Sequence, residues 1–165
     1  MFARGSLKLN ANDDLFIHFC TMPDATLSPP IILALDDSLV IHQLIKQALE
    51  PDYQVITVDN AVDALSIIYH QSIAVLLLDV QMPDVTGLEF CRTIRSLPQF
   101  QHLPVVMVTS QDSPFDRVKG RLAGATEYLT KPFDAEQLRE TVRKFVHTSP
   151  ASPAESFSLH GKDPV

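Results

Sequence analysis

The chain has 165 residues, of which 45% are hydrophobic and 20% charged, a make-up that supplies a core and is too apolar for wholesale disorder. At this length one domain with extensions is expected rather than two domains. Thirteen Lys and Arg against twenty Asp and Glu leave a net charge of −7, which works against nonspecific attraction to nucleic acid or to an anionic membrane surface.

Residues 1–30 mix polar residues with one apolar patch, Leu15 to Cys20, and close on Ser28-Pro29-Pro30, a sequence that resists helix and favours an extended linker. They are read as a flexible N-terminal extension, because the patch is too short for a signal-peptide core. Ile31–Leu35 is the first aliphatic run, expected to be a strand covered on both faces. Behind it come Asp36-Asp37-Ser38 and then Ile41, Leu44, Ile45, Ala48 and Leu49, a helical stripe that faces a sheet. Tyr53–Val58 forms the second strand, and Asn60 can cap a helix whose stripe is Ala61, Ala64, Leu65 and Ile68. Ala74–Leu78 is the third strand, ending against Asp79. From there a loop in which Pro83 and Gly87 are expected to stiffen and bend the chain leads into a helix marked by Leu88, Cys91 and Ile94, limited by Pro98.

Val105–Val108 is the fourth strand, followed by Thr109-Ser110. Ser113-Pro114 with Asp116 has the form of an N-cap, a first-turn proline and a capping acid, opening a helix with the stripe Phe115, Val118 and Leu122 that Gly124 stops. The fifth strand, Thr126–Leu129, runs into Lys131-Pro132, and Asp134 can cap a last helix striped by Leu138, Val142, Phe145 and Val146. Residues 148–165 are Ser- and Pro-rich, lack periodic apolar positions and are expected to be a disordered tail. The pattern is α/β, (βα)₅, whose strands pair in parallel through right-handed crossovers and carry their ligand site at the carboxyl ends of the strands.

Polar residues gather at those ends: Asp36-Asp37-Ser38, Asp79, Thr109-Ser110 and Lys131-Pro132. Packing gives Leu76, Leu77 and Leu78 no reason to be followed by a carboxylate. Two like charges about 4 Å apart repel by roughly 4 kcal/mol at an effective dielectric near 20, so clustered carboxylates need counter-charge. Lys131 supplies one positive charge and a divalent cation the rest. An all-oxygen site selects Mg²⁺ over Zn²⁺, and the backbone carbonyl of Gln81 is a plausible further ligand. His18, His42, His70, His102, His147 and His160 are scattered without zinc spacing. The two cysteines, Cys20 and Cys91, make no disulfide framework, and Cys91 reads as a buried thiol of a reducing compartment, so a cytoplasmic location is expected. No run approaches the roughly 20 apolar residues of a membrane span.

Together the Asp36-Asp37 pair, the segment Leu-Leu-Asp79-Val-Gln-Met-Pro-Asp-Val-Thr-Gly87, Thr109-Ser110 and Lys131-Pro132-Phe133 resemble the receiver domain of bacterial two-component response regulators over residues 31–147. The resemblance implies a flavodoxin-like, doubly wound parallel five-stranded sheet of order 2-1-3-4-5. It implies Asp79 as the phosphoacceptor for a sensor histidine kinase or phosphotransfer protein, and Mg²⁺ held by Asp37, Asp79 and the Gln81 carbonyl with help from Asp36. Lys131 and Thr109 would contact the phosphoryl oxygens. Tyr128 would be an aromatic switch that turns inward once Thr109 moves toward the phosphate, and Lys131-Pro132 would be cis. Gln81 and Gln111 would flank the route of a hydrolytic water.

The downstream reader would be a protein effector on the face of helix four, strand five and helix five, where Arg117, Lys119, Arg121, Glu127, Arg139 and Arg143 suit an acidic partner. A phosphorylation-dependent homodimer is compatible with that face, and direct nucleic-acid binding is not expected. The 18 residues after His147 are too few for a helix-turn-helix output domain, so a stand-alone receiver is expected. Two rival functions remain open at this stage. One is an adaptor that ignores phosphorylation; the other is a Mg²⁺-dependent phosphohydrolase with an aspartyl-phosphate intermediate, whose Asp-x-Asp motif after strand one this chain lacks. Neutralising Asp36 or Asp37 is expected to raise metal-free stability by relieving repulsion.

Overall fold

The computed structural model describes residues 28–110 and 114–146, the side chains at 114 and 115 excepted. Its strands are β1 (Ile31–Leu35), β2 (Gln54–Val58), β3 (Ile73–Asp79), β4 (Val105–Thr109) and β5 (Glu127–Thr130), and its helices α1 (Leu39–Leu49), α2 (Ala61–His70), α3 (Gly87–Ser96), α4 (Pro114–Ala123) and α5 (Ala135–Val146). A 3-10 turn, Pro98–Phe100, follows α3; proline can open such a turn but cannot continue the helix before it. The extension up to residue 27, the Ser113 cap, Gln111, the Phe115 side chain and the tail from residue 147 lie outside the described residues.

All five strands pair in parallel in one sheet of order β2-β1-β3-β4-β5, the flavodoxin-like α/β architecture. Register brings the strand ends level: Leu35 lies beside Val58 and Leu78, Asp79 beside Val108, and Thr109 beside Thr130. Alternate residues of each central strand serve two cores. Ile32, Ala34, Val75, Leu77, Val106 and Val108 pack with Ile45, Leu49, Leu138 and Val142 of α1 and α5. On the opposite face Leu33, Leu35, Leu76, Leu78 and Met107 pack with Ile68, Phe90, Cys91 and Ile94 of α2 and α3. Both faces being covered is why the runs are nearly unbroken aliphatic sequence. Each of the buried Val, Leu, Ile, Phe and Met side chains stabilises the fold by about 1.5–3 kcal/mol relative to an exposed one.

Helix starts follow their caps. Ser38 and Asn60 accept from the backbone of Ile41 and Asp63. Thr86 with Glu89, and Asp134 with Gln137, make reciprocal capping pairs. Gly124 ends α4 at φ 94°, in the left-handed region glycine adopts without strain. Against it lies Arg95, whose guanidinium donates to the carbonyls of Gly124 and Phe100 at 2.8 and 3.0 Å and to the Thr126 hydroxyl at 3.4 Å. One side chain thus joins α3, the 3-10 turn and the α4–β5 connection. Among the described residues no helix is long and apolar enough to cross a membrane.

The stripe predicted on α4 is corrected. Val118 and Leu122 point outward, 52% and 79% exposed, and among the described side-chain positions of α4 the buried ones are Gly120 and Ala123. Helical spacing identifies a face but not its direction; here the described buried positions, Gly120 and Ala123, are small, and Tyr128 lies close under Gly120. Leu122→Ser is therefore expected to change stability by no more than about 0.5 kcal/mol. A thermal melt in which that variant lost several degrees would contradict the outward placement.

Candidate functional site

The carboxyl ends of β1, β3, β4 and β5 bring the predicted residues into one cluster. Asp36, 2% exposed, follows β1, its backbone N–H donating to the Val58 carbonyl at 3.1 Å. One of its carboxylate oxygens accepts from the Ser38 N–H at 2.9 Å and the other from Lys131 Nζ at 2.6 Å. Asp79, 5% exposed at the end of β3, accepts from the same Nζ at 3.2 Å. Asp37 is exposed, yet Asp36, Asp37 and Asp79 each present a carboxylate oxygen within 4.8 Å of the others. Lys131 is placed by β5: its backbone N–H donates to the Thr109 carbonyl at 2.8 Å, and the Lys131-Pro132 bond is cis, as expected.

Electrostatics follow from this crowding. Burial raises the Asp79 carboxyl above the ordinary range; Lys131 opposes that and the Asp36 charge adds to it. Burial alone would lower the Lys131 ammonium, but the hydrogen bond and charge of Asp36, with those of Asp79, raise it overall. The site is a pocket neutralised by about a third, three carboxylates around one ammonium. Its donors are all oxygen and close enough to share one ion, so the residues fit a hard divalent cation of the Mg²⁺ type. Asp36 is also the principal partner of Lys131, which corrects the expectation that its neutralisation would simply relieve repulsion: removing it would leave the ammonium short of its nearest counter-charge.

The loop after β3 closes over Asp79 in an unforeseen way. Gly87 does not sit at positive φ, so it is not a bend residue. Its N–H donates to the Val80 carbonyl at 3.1 Å, and a Cβ there would stand 2.0 Å from the Asp79 carbonyl oxygen. The glycine permits the start of α3 to touch the backbone of the pocket carboxylate. Across the mouth, Ser110 donates its hydroxyl to the Gln81 side chain at 3.2 Å, and the Gln81 backbone hydrogen-bonds the Asp79 carboxylate.

Thr109, 1% exposed, lines a cavity of about 50 Å³ with Val80, Leu88, Asp116, Lys119 and Tyr128. Tyr128 already lies inward, half-buried among the residues under α3 and α4, its hydroxyl donating to the Asp116 carbonyl at 3.2 Å. Of the predicted partner face, Arg117, Arg121 and Arg143 are exposed, and Lys119 lies 3.8 Å from Asp116. Arg139 is turned elsewhere: it donates to the Ala48 carbonyl at the end of α1 at 2.8 Å and pairs with Glu136 at 3.5 Å, so it fastens α5 to α1. Cys91 is buried, and burial pushes its thiol up, as a core cysteine requires.

Comparison with known proteins supplies an independent view. Residues 32–143 match the family described as the response regulator receiver domain. The response regulator MprA of Mycobacterium leprae (strain TN) is 37% identical over 134 residues, 80% of this chain and 58% of that protein. The chain thus spans a little under three-fifths of the length of that curated relative. Among solved structures, the chemotaxis response regulator CheY4 of Vibrio cholerae aligns with TM-score 0.67 and 34% identity, covering 72% of this chain and 99% of that one. The receiver domain of the Francisella response regulator 1452 aligns with TM-score 0.66 and 28% identity, covering 72% and 97%.

Proposed function

The chain belongs to the response regulator receiver domain family of two-component signalling, and from that premise we propose that it accepts a phosphoryl group on Asp79 and passes the change to a protein partner. Receiver domains take their phosphoryl group from a histidine kinase or phosphotransfer protein and are signalling proteins rather than catalysts in general. The observation that carries the reading is the meeting of Asp36, Asp37, Asp79 and Lys131 at one end of the sheet.

In the proposed reaction an oxygen of the Asp79 carboxylate attacks the phosphorus of a phosphohistidine. The phosphorus–nitrogen bond breaks, its electron pair stays on the imidazole, and an acyl phosphate forms. Lys131 neutralises charge on the phosphoryl oxygens while staying bonded to Asp36, and the Thr109 hydroxyl donates to one of them. Asp37, Asp79 and the Gln81 carbonyl would hold Mg²⁺, with Asp36 beside them. When bound, that ion would offset the negative charge of the carboxylates and of the incoming phosphoryl group. Hydrolysis would return the carboxylate and inorganic phosphate, with Gln81, which accepts from the Ser110 hydroxyl, proposed to flank the route of the water.

Phosphorylation turns one carboxylate charge into a group of nearly two negative charges with three acceptor oxygens. The partner face proposed for reading it combines Arg117, Arg121 and Arg143 with the exposed Val118 and Leu122, suited to an acidic partner surface with apolar residues at its centre. Residues 31–147 are proposed as the receiver domain and the cytoplasm as its place of action.

The test is incubation with a small-molecule phosphodonor and Mg²⁺ followed by intact mass and site mapping. A gain of about 80 Da on Asp79 is expected, absent with chelator and absent in Asp79→Asn. A gain on another residue, or none at all, would overturn the assignment, and an Asp79→Asn protein that kept full signalling would favour the phosphorylation-independent adaptor.

A further inference from the structure

The amino ends of the strands, opposite the carboxylate cluster, carry a second concave surface. Two cavities of about 260 and 360 Å³ open there. The first lies between the end of α2 and the 3-10 turn, against Ile68, Phe100, Leu103 and Pro104. The second is walled by Pro29, Pro30, Ala74 and Val146. Ser72 and Ile73, where the chain enters β3, line both, so the two form one trough. The seven residues of β3 end at Asp79, which at ~3.3 Å per residue puts the trough about 20 Å from that aspartate. Each cavity has room for a phenyl ring, since an apolar cavity of roughly 150 Å³ holds benzene.

The trough is apolar and open. Ile73, Ala74, Phe100 and Val146 are only half-buried, and Tyr69, 50% exposed, stands edge-on to Phe100 with ring centroids 5.1 Å apart. No Asp, Glu, Lys or Arg lines either cavity, although charged residues make up 20% of the chain. A contiguous apolar surface of this kind marks a place where something docks.

We propose that the trough is the seat of the chain's own apolar segment Leu15–Cys20, with Phe16 and Phe19 as the anchoring side chains. The chain itself leads there. The described residues begin at Ser28, and Ser28, Pro29 and Pro30 form a wall of the trough. Seven residues, Thr21 to Leu27, separate that wall from Cys20, a reach of up to about 25 Å. A tether of that length holds the segment at an effective concentration in the millimolar range, ahead of a second copy or a separate partner. The chemistry matches as well. Leu15-Phe16-Ile17-His18-Phe19-Cys20 contains no Asp, Glu, Lys or Arg, while Asp13, Asp14 and Asp24 bound it on both sides with groups that stay in water. Docking removes apolar surface of the segment and of the trough from water together. The seat is remote from Asp79 and does not rest on the receiver function proposed above.

The test uses the full chain with a nitroxide attached to Cys20; Cys91 is 0% exposed and does not react. Amide NMR signals are compared with the nitroxide oxidised and reduced. Strong broadening is expected at Phe100 and His102, which line the cavity that Ser28 does not touch. Phe16→Asp combined with Phe19→Asp is expected to reduce that broadening severalfold. A segment that only passes by on its tether would broaden the same signals equally in the double variant, and that result would overturn the proposal, as would broadening centred on α4 or on the carboxyl ends of the strands. Mixing labelled chain with isotope-enriched, unlabelled chain separates the sources: no broadening is expected in the mixture, and broadening there would give the trough to a second copy and overturn the seat. Neither phenylalanine belongs to the Asp79 pocket, so the mass gain on phosphorylation is expected unchanged in the double variant. A chain that shows the broadening but gains no mass would sink the receiver reading alone.

Discussion

Lys131→Ala is expected to lower the melting temperature of the metal-free protein by about 10 °C at pH 7, a loss of about 3 kcal/mol in a domain of this size. The lysine Nζ bonds both Asp36 and Asp79, whose side chains are only 3% and 6% exposed. Removing it leaves two buried carboxylates without their shared counter-charge. The pH dependence has a definite sign. Asp79 has a raised folded-state pKa, so its protonated form favours the fold; that contribution is present below about pH 4 and lost as pH rises through the folded value.

Lys131 is also raised, so its stabilising charge is present throughout neutral pH and lost only at strongly alkaline pH. The gap between wild type and variant should therefore be widest near neutrality and close as acid neutralises the carboxylates. Phosphorylation by a small-molecule donor should fall at least tenfold, since each lost 1.4 kcal/mol of transition-state stabilisation is a factor of ten. Melting curves between pH 4 and 8 that stayed parallel would show that the lysine is not the counter-charge.

Gly87→Ala has the second large effect. Its new methyl group would stand 2.0 Å from the Asp79 carbonyl oxygen and 3.0 Å from the Val80 Cα, both parts of the backbone, so no flexible side chain can yield. Either α3 retreats or the end of β3 bends, at about 2–3 kcal/mol. A melting temperature lower by roughly 8–12 °C is expected, with slower phosphorylation because the attacking carboxylate moves with its backbone. A variant that melted within a degree of wild type would mean the loop absorbs the methyl group freely.

These two residues differ in how far sequence could anticipate them. Lys131 was legible because the short fifth strand ran into a cation while two aliphatic strands ended in carboxylates, and a parallel sheet brings such strand ends together. The strands were legible for the same reason: residues covered on both faces leave an aliphatic run. Gly87 was visible but assigned the wrong reason, since a glycine that frees backbone torsion and one that makes room look alike in sequence, and only its negative φ and the nearby Asp79 oxygen tell them apart.

The α4 stripe failed through an ambiguity of the same kind. Val118 and Leu122 have core spacing, but spacing carries no direction, and the informative residue was the glycine between them. The Thr86-x-x-Glu89 capping box could have been read from its letters and was passed over. Arg139 could not: its turn toward Ala48 depends on α5 crossing α1, which is set by tertiary packing.

The Arg95 clasp has a kinetic meaning. Its partners Phe100, Gly124 and Thr126 are 5, 29 and 31 residues along the chain, and the entropy of closing long loops makes the distant pairs unfavourable to form early. Interactions that arrive after the rate-limiting step act on escape from the native basin more than on arrival in it. The guanidinium is thus a latch on the lifetime of the β4–β5 edge: the chain would reach its fold nearly as fast without it, but would not keep that edge shut for as long.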